Sequence, residues 1–161
     1  MKKIIMLLLC LNCLLLIAKD SYAKKSSQSK QEKQTQDSTQ KAQIQQLKLP
    51  NFNKSKEAKE TLYQSISLQF GNTKKKYKIL KKGIIASKMT HNLFKDSTKT
   101  CNELLLIALK DMQEQAINTN GTKLINIVSN FPNTSHNSST TFQCEVGSVF
   151  TIIMLKANIA R

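Results

Sequence analysis

The stretch KTCNELLLIALKDMQEQA, residues 99–116, constrains the fold more than any other. Cys101, Leu104, Leu105, Ala108, Leu109, Met112 and Ala116 recur three and four positions apart, so an α-helix gathers them on one face. Thr100-Cys101-Asn102-Glu103 fits a capping box, Asp96 or Ser97 would cap one turn earlier, and Asn120-Gly121 supplies a stop that tolerates positive φ. A helix that is apolar on one side needs a cover, and the segments around it read as strands. SISLQF (65–70) alternates Ile66, Leu68 and Phe70 with polar residues, and KYKILKKGIIAS (76–87) is a second strand bent at Gly83. TKLINIVSNF (122–131) is β-branched and reads as a third strand. TTFQCEV (140–146) puts Thr140, Phe142, Cys144 and Val146 on one face, and Gly147 turns the chain into SVFTIIMLKA (148–157). KSKEAKETLY (54–63) reads as a short helix and PNTSHNSS (132–139) as a polar hairpin loop. The expectation is an α+β domain: one long helix packed on a mainly antiparallel sheet of about five strands.

Two cysteines lie inside this pattern, Cys101 on the apolar helix face and Cys144 on the Phe142/Val146 strand face. If that helix covers that sheet face the sulfurs meet, so a Cys101–Cys144 disulfide stapling helix to sheet is the favoured reading. Cys101 and Cys144 form no C-x-x-C motif for redox work. A catalytic thiol would want a nearby histidine, and the two in the chain, His91 and His136, fall in segments that read as loops. A zinc site made from these four residues would have spacings that match no familiar pattern.

The N-terminus explains why the cysteines should be oxidised. MKKIIMLLLCLNCLLLIAKDSYAKK opens with Lys2 and Lys3, is apolar from Ile4 to Ala18 but for Asn12, and places Ser21 and Ala23 as small residues before a cut after position 23. The apolar run is about 15 residues, below the roughly 20 that span a bilayer. This reads as a secretory signal peptide over 1–23, with an uncleaved anchor as the alternative, and it sends the chain to the periplasm or the exterior, where disulfides persist. Residues 24–53 are then expected to be a disordered tether rich in Gln, Lys and Ser; up to Lys48 they hold no aromatic and two aliphatics larger than alanine, Ile44 and Leu47. Residues 54–161 are the folded α+β domain.

Charge narrows the choice of partner. Removing residues 1–23 takes away Lys2, Lys3, Lys19 and Asp20 and leaves 22 basic and 9 acidic residues. Lys74, Lys75, Lys76, Lys78, Lys81 and Lys82 crowd into nine positions around Tyr77, a candidate contact for anionic lipid, lipopolysaccharide, cell-wall polymer or nucleic acid. Arg161 is the one arginine, so bidentate phosphate recognition, and with it specific nucleic-acid binding, is not expected. Abundant Lys, Asn and Ile also suit an AT-rich bacterial genome, which would supply lysines without a role for them. The carboxylates Asp96, Glu103, Asp111, Glu114 and Glu145 are scattered over surface positions and form no acid/base pair.

Several pieces of the chain together resemble a known family: Phe70-Gly71, Lys95-Asp96 followed by Ser97, Cys101 with ALKDMQEQA (108–116), Gly121 leading into LINIVSNF (124–131), Ser138-Ser139 and FQCEVG (142–147). They are similar to small exported bacterial proteins commonly labelled "excinuclease ATPase subunit". The resemblance covers residues 54–158 and implies an exported domain of uncharacterised role. This chain departs from it in its basic tether, and in NGTKLI (120–125) where members carry GGNAVV. A more distant likeness, through the helix and the strand that follows it, is to the disulfide-containing envelope-stress sensor lipoprotein of enterobacteria. The ATPase label does not suit the residues. Phosphate cradling needs G-x-x-x-x-G-K-[ST], and Gly71, Gly83, Gly121 and Gly147 form no such loop. The expected function is non-catalytic binding in the envelope or outside the cell, without catalytic residues, metal or cofactor. The partner is an envelope protein or an anionic surface, and the strand edge at Ser65–Phe70 leaves self-association open.

Overall fold

In a computed structural model the described residues are 42–91 and 96–161. The expected signal peptide and residues 24–41 of the expected tether lie outside them. Nine elements follow in order: β1 (Gln43–Lys48), α1 (Lys56–Thr61), β2 (Ser67–Phe70), β3 (Ile79–His91), α2 (Ser97–Asn118), β4 (Lys123–Phe131), β5 (Thr134–His136), β6 (Thr141–Val146) and β7 (Phe150–Ala160).

The apolar face of α2 forms as its spacing requires: Cys101, Leu105, Ala108, Leu109, Met112 and Ala116 are inaccessible to solvent and Leu104 nearly so. Asp96 caps the helix, its carboxylate accepting the Lys99 N–H at 3.0 Å, while Thr100 is buried inside the first turn and caps nothing. At the other end Asn120 takes φ +54°, and the Gly121 N–H donates to the Ala116 carbonyl at 2.8 Å. Gly121 is required by space: a Cβ there would overlap Ile159 Cγ2.

The sheet has seven strands rather than about five. β7 is its axis, paired with β3 along its whole length on one edge and with β6 and then β4 in succession on the other. β1 extends the sheet outside β6, β2 lies parallel to β4, β5 folds back on β4, and every pair but β2–β4 is antiparallel. The two added strands are β1 and β5. β1 corrects the boundary of the tether: Gln43 to Lys48 pair residue by residue with Val146 to Thr141, and Leu47 packs on the core opposite Phe142. Phe52, also placed in the tether by its surroundings, stacks on Phe70 with ring centroids 5.9 Å apart. The domain therefore begins at β1, because β6 supplies the hydrogen-bond partners that a polar sequence cannot supply to itself.

The core lies between α2 and one sheet face made by Ile84, Ala86, Leu124, Ile127, Phe142, Cys144, Ile153, Leu155, Ala157 and Ile159. Cys101 and Cys144 are bonded across it, with Cα atoms 6.0 Å apart. They stand 43 positions apart, and the chain-entropy model values closure of such a loop at about 4 kcal/mol. The bridge reaches a weakly attached part of the sheet. β6 meets β7 through two residue pairs only, Glu145–Ile152 and Val146–Thr151, and β1 is carried by β6. The Ser129 hydroxyl, accepting the Gln143 N–H at 2.8 Å, adds a tie from β4.

A buried glutamine holds the short helix to the main one. Gln113 on α2 accepts the Tyr63 N–H at 2.9 Å and donates to the carbonyls of Tyr63 and Ile66, both at 3.0 Å. It thereby satisfies the turn between α1 and β2.

Candidate functional site

The basic cluster is built on the connection from β2 to β3, which crosses the sheet face opposite α2. Gly71 starts it at φ +72°, pressed against the Ser138–Ser139 backbone. Side-chain carbonyls then hold its amides: Asn137 Oδ1 accepts the Asn72 N–H and Asn126 Oδ1 the Thr73 N–H, each at 3.0 Å. Asn126 can do so because it sits in a β4 bulge at φ +52°. The Tyr77 hydroxyl meets Gln69 Oε1 at 3.3 Å, and Lys78 exchanges two backbone hydrogen bonds with Arg161, at 3.1 and 3.0 Å. Two register shifts follow in β3, around Lys81 and before Ile84. At the second, Gly83 (φ +64°) donates its N–H to Asn158 Oδ1 at 2.9 Å. The lysines of this segment are thus carried on a backbone held by hydrogen bonds at Asn72, Thr73, Lys78 and Gly83.

Lys74, Lys75, Lys76, Lys78, Lys81 and Lys82 are all exposed. Three further cations reach them through the sheet register. Lys123 Nζ lies 5.9 Å from the centre of the Tyr77 ring, Arg161 is paired to Lys78, and the Lys156 stem passes over Gly83. No local sequence signal marks these three, which stand 40 to 80 positions away from the lysine run.

Opposing charge is elsewhere. Among the described residues the carboxylates belong to α1, to α2 with its Asp96 cap, and to β6, and none belongs to β2, β3, β4, β7 or the β2–β3 connection. The ion pairs there, Lys56–Glu60 on α1 and Lys88–Asp111 between β3 and α2, leave the cluster out. Nine cations on one end with no Asp or Glu side chain among them attract polyanions in a salt-dependent way. Eight are lysines, which act as point charges and read no particular base or sugar pattern.

The other candidate residues are placed differently. Both sulfurs of Cys101 and Cys144 are used in the bridge. His91 and His136 end strands β3 and β5 instead of lying in loops, because both strands pair further than their patterns show. The His91 ring lies 4.6 Å from that of Phe150, and His136 Nε2 lies 2.8 Å from Thr141 Oγ1. The zinc reading from these four residues would need the two sulfurs that the bridge holds, and no group of three metal-donor side chains occurs among the described residues. Thr141 Oγ1 also donates to Ser138 Oγ at 2.8 Å, but the Ser138 oxygen already accepts the N–H groups of Thr140 and Thr141 at 3.2 and 3.1 Å. That serine organises a turn. A groove of about 560 Å³ runs beside β2, lined by Leu49, Phe52, Tyr63, Leu68 and Phe70 among others. No helix among the described residues is long and apolar enough to cross a membrane.

No family model, curated protein or solved structure matches the chain.

Proposed function

We propose that this is an exported, non-catalytic binding protein whose contact surface is the basic end of the sheet and whose partner is an anionic polymer or surface. One observation carries the reading: Lys123, Lys156 and Arg161 join the six lysines of 74–82 on a backbone held by side-chain and main-chain hydrogen bonds, with no carboxylate on the strands that carry them. A lysine surplus set by genome composition alone would scatter over the surface, whereas this one converges from three distant segments. Fixing the backbone beforehand lowers the ordering cost of a polyvalent contact. The disulfide suits an oxidising compartment, and the likeness to small exported proteins agrees with it.

The test is retention on immobilised heparin across a salt gradient. Lys→Gln changes at Lys74, Lys75, Lys76, Lys78, Lys81 and Lys82 should lower the eluting salt far more than equal neutralisation at Lys48, Lys54, Lys56, Lys59, Lys99 and Lys110. Lys123→Gln with Lys156→Gln should lower it further. Equal effects of the two six-lysine sets would mean that net charge, not this surface, does the binding, and would remove the proposal.

A further inference from the structure

Next to the basic end, the same sheet face carries apolar side chains that nothing in the fold covers. On β3, Ile84, Ala86 and Lys88 face α2, as burial and the Lys88–Asp111 pair show, so Ile85, Ser87, Met89 and His91 point the other way. Register sets them beside Lys156, Met154, Ile152 and Phe150 of β7. Ile85 and Met89 are 54% and 58% exposed, unusual for large apolar residues in the middle of a paired strand. Phe150 is exposed with His91 against it, Val149 precedes it, and Ile44 on β1 lies on the same face beyond Glu145, the one carboxylate of that row. Along β7 this face is apolar at Phe150, Ile152 and Met154, and Lys156 then opens the basic end. At about 3.3 Å per residue the apolar part is roughly 13 Å long.

We infer that this face docks on an anionic lipid bilayer, the Ile85/Met89/Ile152/Met154 strip entering the headgroup region while the lysines of the β2–β3 connection lie over acidic headgroups. The inference rests on the proposed anionic partner and narrows it. A dissolved polyanion is served by the lysines alone and leaves Ile85 and Met89 in water. A bilayer offers anionic groups and an apolar interior side by side, the same order in which this face offers cations and apolar side chains. Ser87, between the two exposed residues, is small enough to let Met154 join the strip.

The experiment uses the chain expressed with its own leader and recovered after export. Binding is measured by flotation with vesicles of equimolar phosphatidylcholine and phosphatidylglycerol, with vesicles of phosphatidylcholine alone beside them, and by elution from heparin. Ile85→Ser with Met89→Ser changes exposed positions, and an unaltered urea midpoint confirms the fold; Ile85→Ala with Met89→Ala serves if it does not. The expected result is binding to mixed vesicles that outlasts the salt which empties heparin, and about tenfold or greater weakening in the double variant, the loss two partly inserted aliphatic side chains represent. Heparin elution should not move. Vesicle binding that fades at the heparin salt and ignores the double variant overturns the inference and leaves the polyanion reading standing. Heparin retention without vesicle binding does the same, as does a dimer in sedimentation that the double variant dissociates. Loss of both heparin and vesicle binding removes the two readings together.

Discussion

Gln113 offers the sharpest check on how this fold is held. Replacing it with Met keeps its length and burial and removes all three hydrogen bonds it makes to the turn before β2. Each is worth about 1 kcal/mol net, which sets the simple loss near 3 kcal/mol. Solvent reaches Tyr63, which is 39% exposed, so water takes over part of that residue's loss. It does not reach Ile66 at 5%, and an orphaned buried carbonyl costs about 1–3 kcal/mol by itself. The expected destabilisation is about 2–3 kcal/mol, a large share of the roughly 5–15 kcal/mol available to a domain. Urea titration of the oxidised chain, followed by circular dichroism, reads it as a shift in midpoint at unchanged slope. Gln113→Glu keeps the acceptor for Tyr63, loses both donated bonds and buries a charge, so it should fall further than Met. A Met variant within about 1 kcal/mol of the parent, or a Glu variant above it, would refute the claim that this side chain fastens the turn.

Three other outcomes follow from the packing. Cys101→Ala with Cys144→Ala should cost up to about 4 kcal/mol in urea, and hydrogen exchange should rise first in β1 and β6, which the bridge ties down, before β3 and β7; uniform acceleration would count against that order. Gly121→Ala forces a Cβ into Ile159 and toward the Ala116 carbonyl and should lower stability by about 1–3 kcal/mol, read by the same titration. Thr151→Val should raise stability by about 1–2 kcal/mol, because the Thr151 hydroxyl is fully buried with no hydrogen-bond partner and a methyl group fills the same space; a loss would show that a buried water serves that oxygen.

The helix and its cysteine were readable because seven apolar residues keep a helical interval from Cys101 to Ala116, and the sheet face of Phe142 and Cys144 because it alternates strictly. β1 was not, since the face it turns to the core carries Gln43 and Gln45 with Leu47 as its one apolar residue, and a strand that owes its existence to its neighbour's hydrogen bonds has no pattern of its own. β5 is three residues long and lay hidden in a polar loop. β3 runs on to His91 because its last residues pair with the start of β7, a contact across about 60 positions. The same reason divides the basic surface. Six of its lysines are neighbours in sequence and could be found by reading; Lys123, Lys156 and Arg161 join them only through register.

The position of β7 bears on when the molecule can exist at all. The strand that joins β3, β4 and β6 comes after every one of them in the chain. A nascent polypeptide that stops short of Phe150 holds α2 and its surrounding strands without the partner that makes them a sheet. Local helix can flicker there, but the cooperative structure waits for the last eleven residues of the order. Any product truncated before β7 presents open strands to proteases instead of a fold.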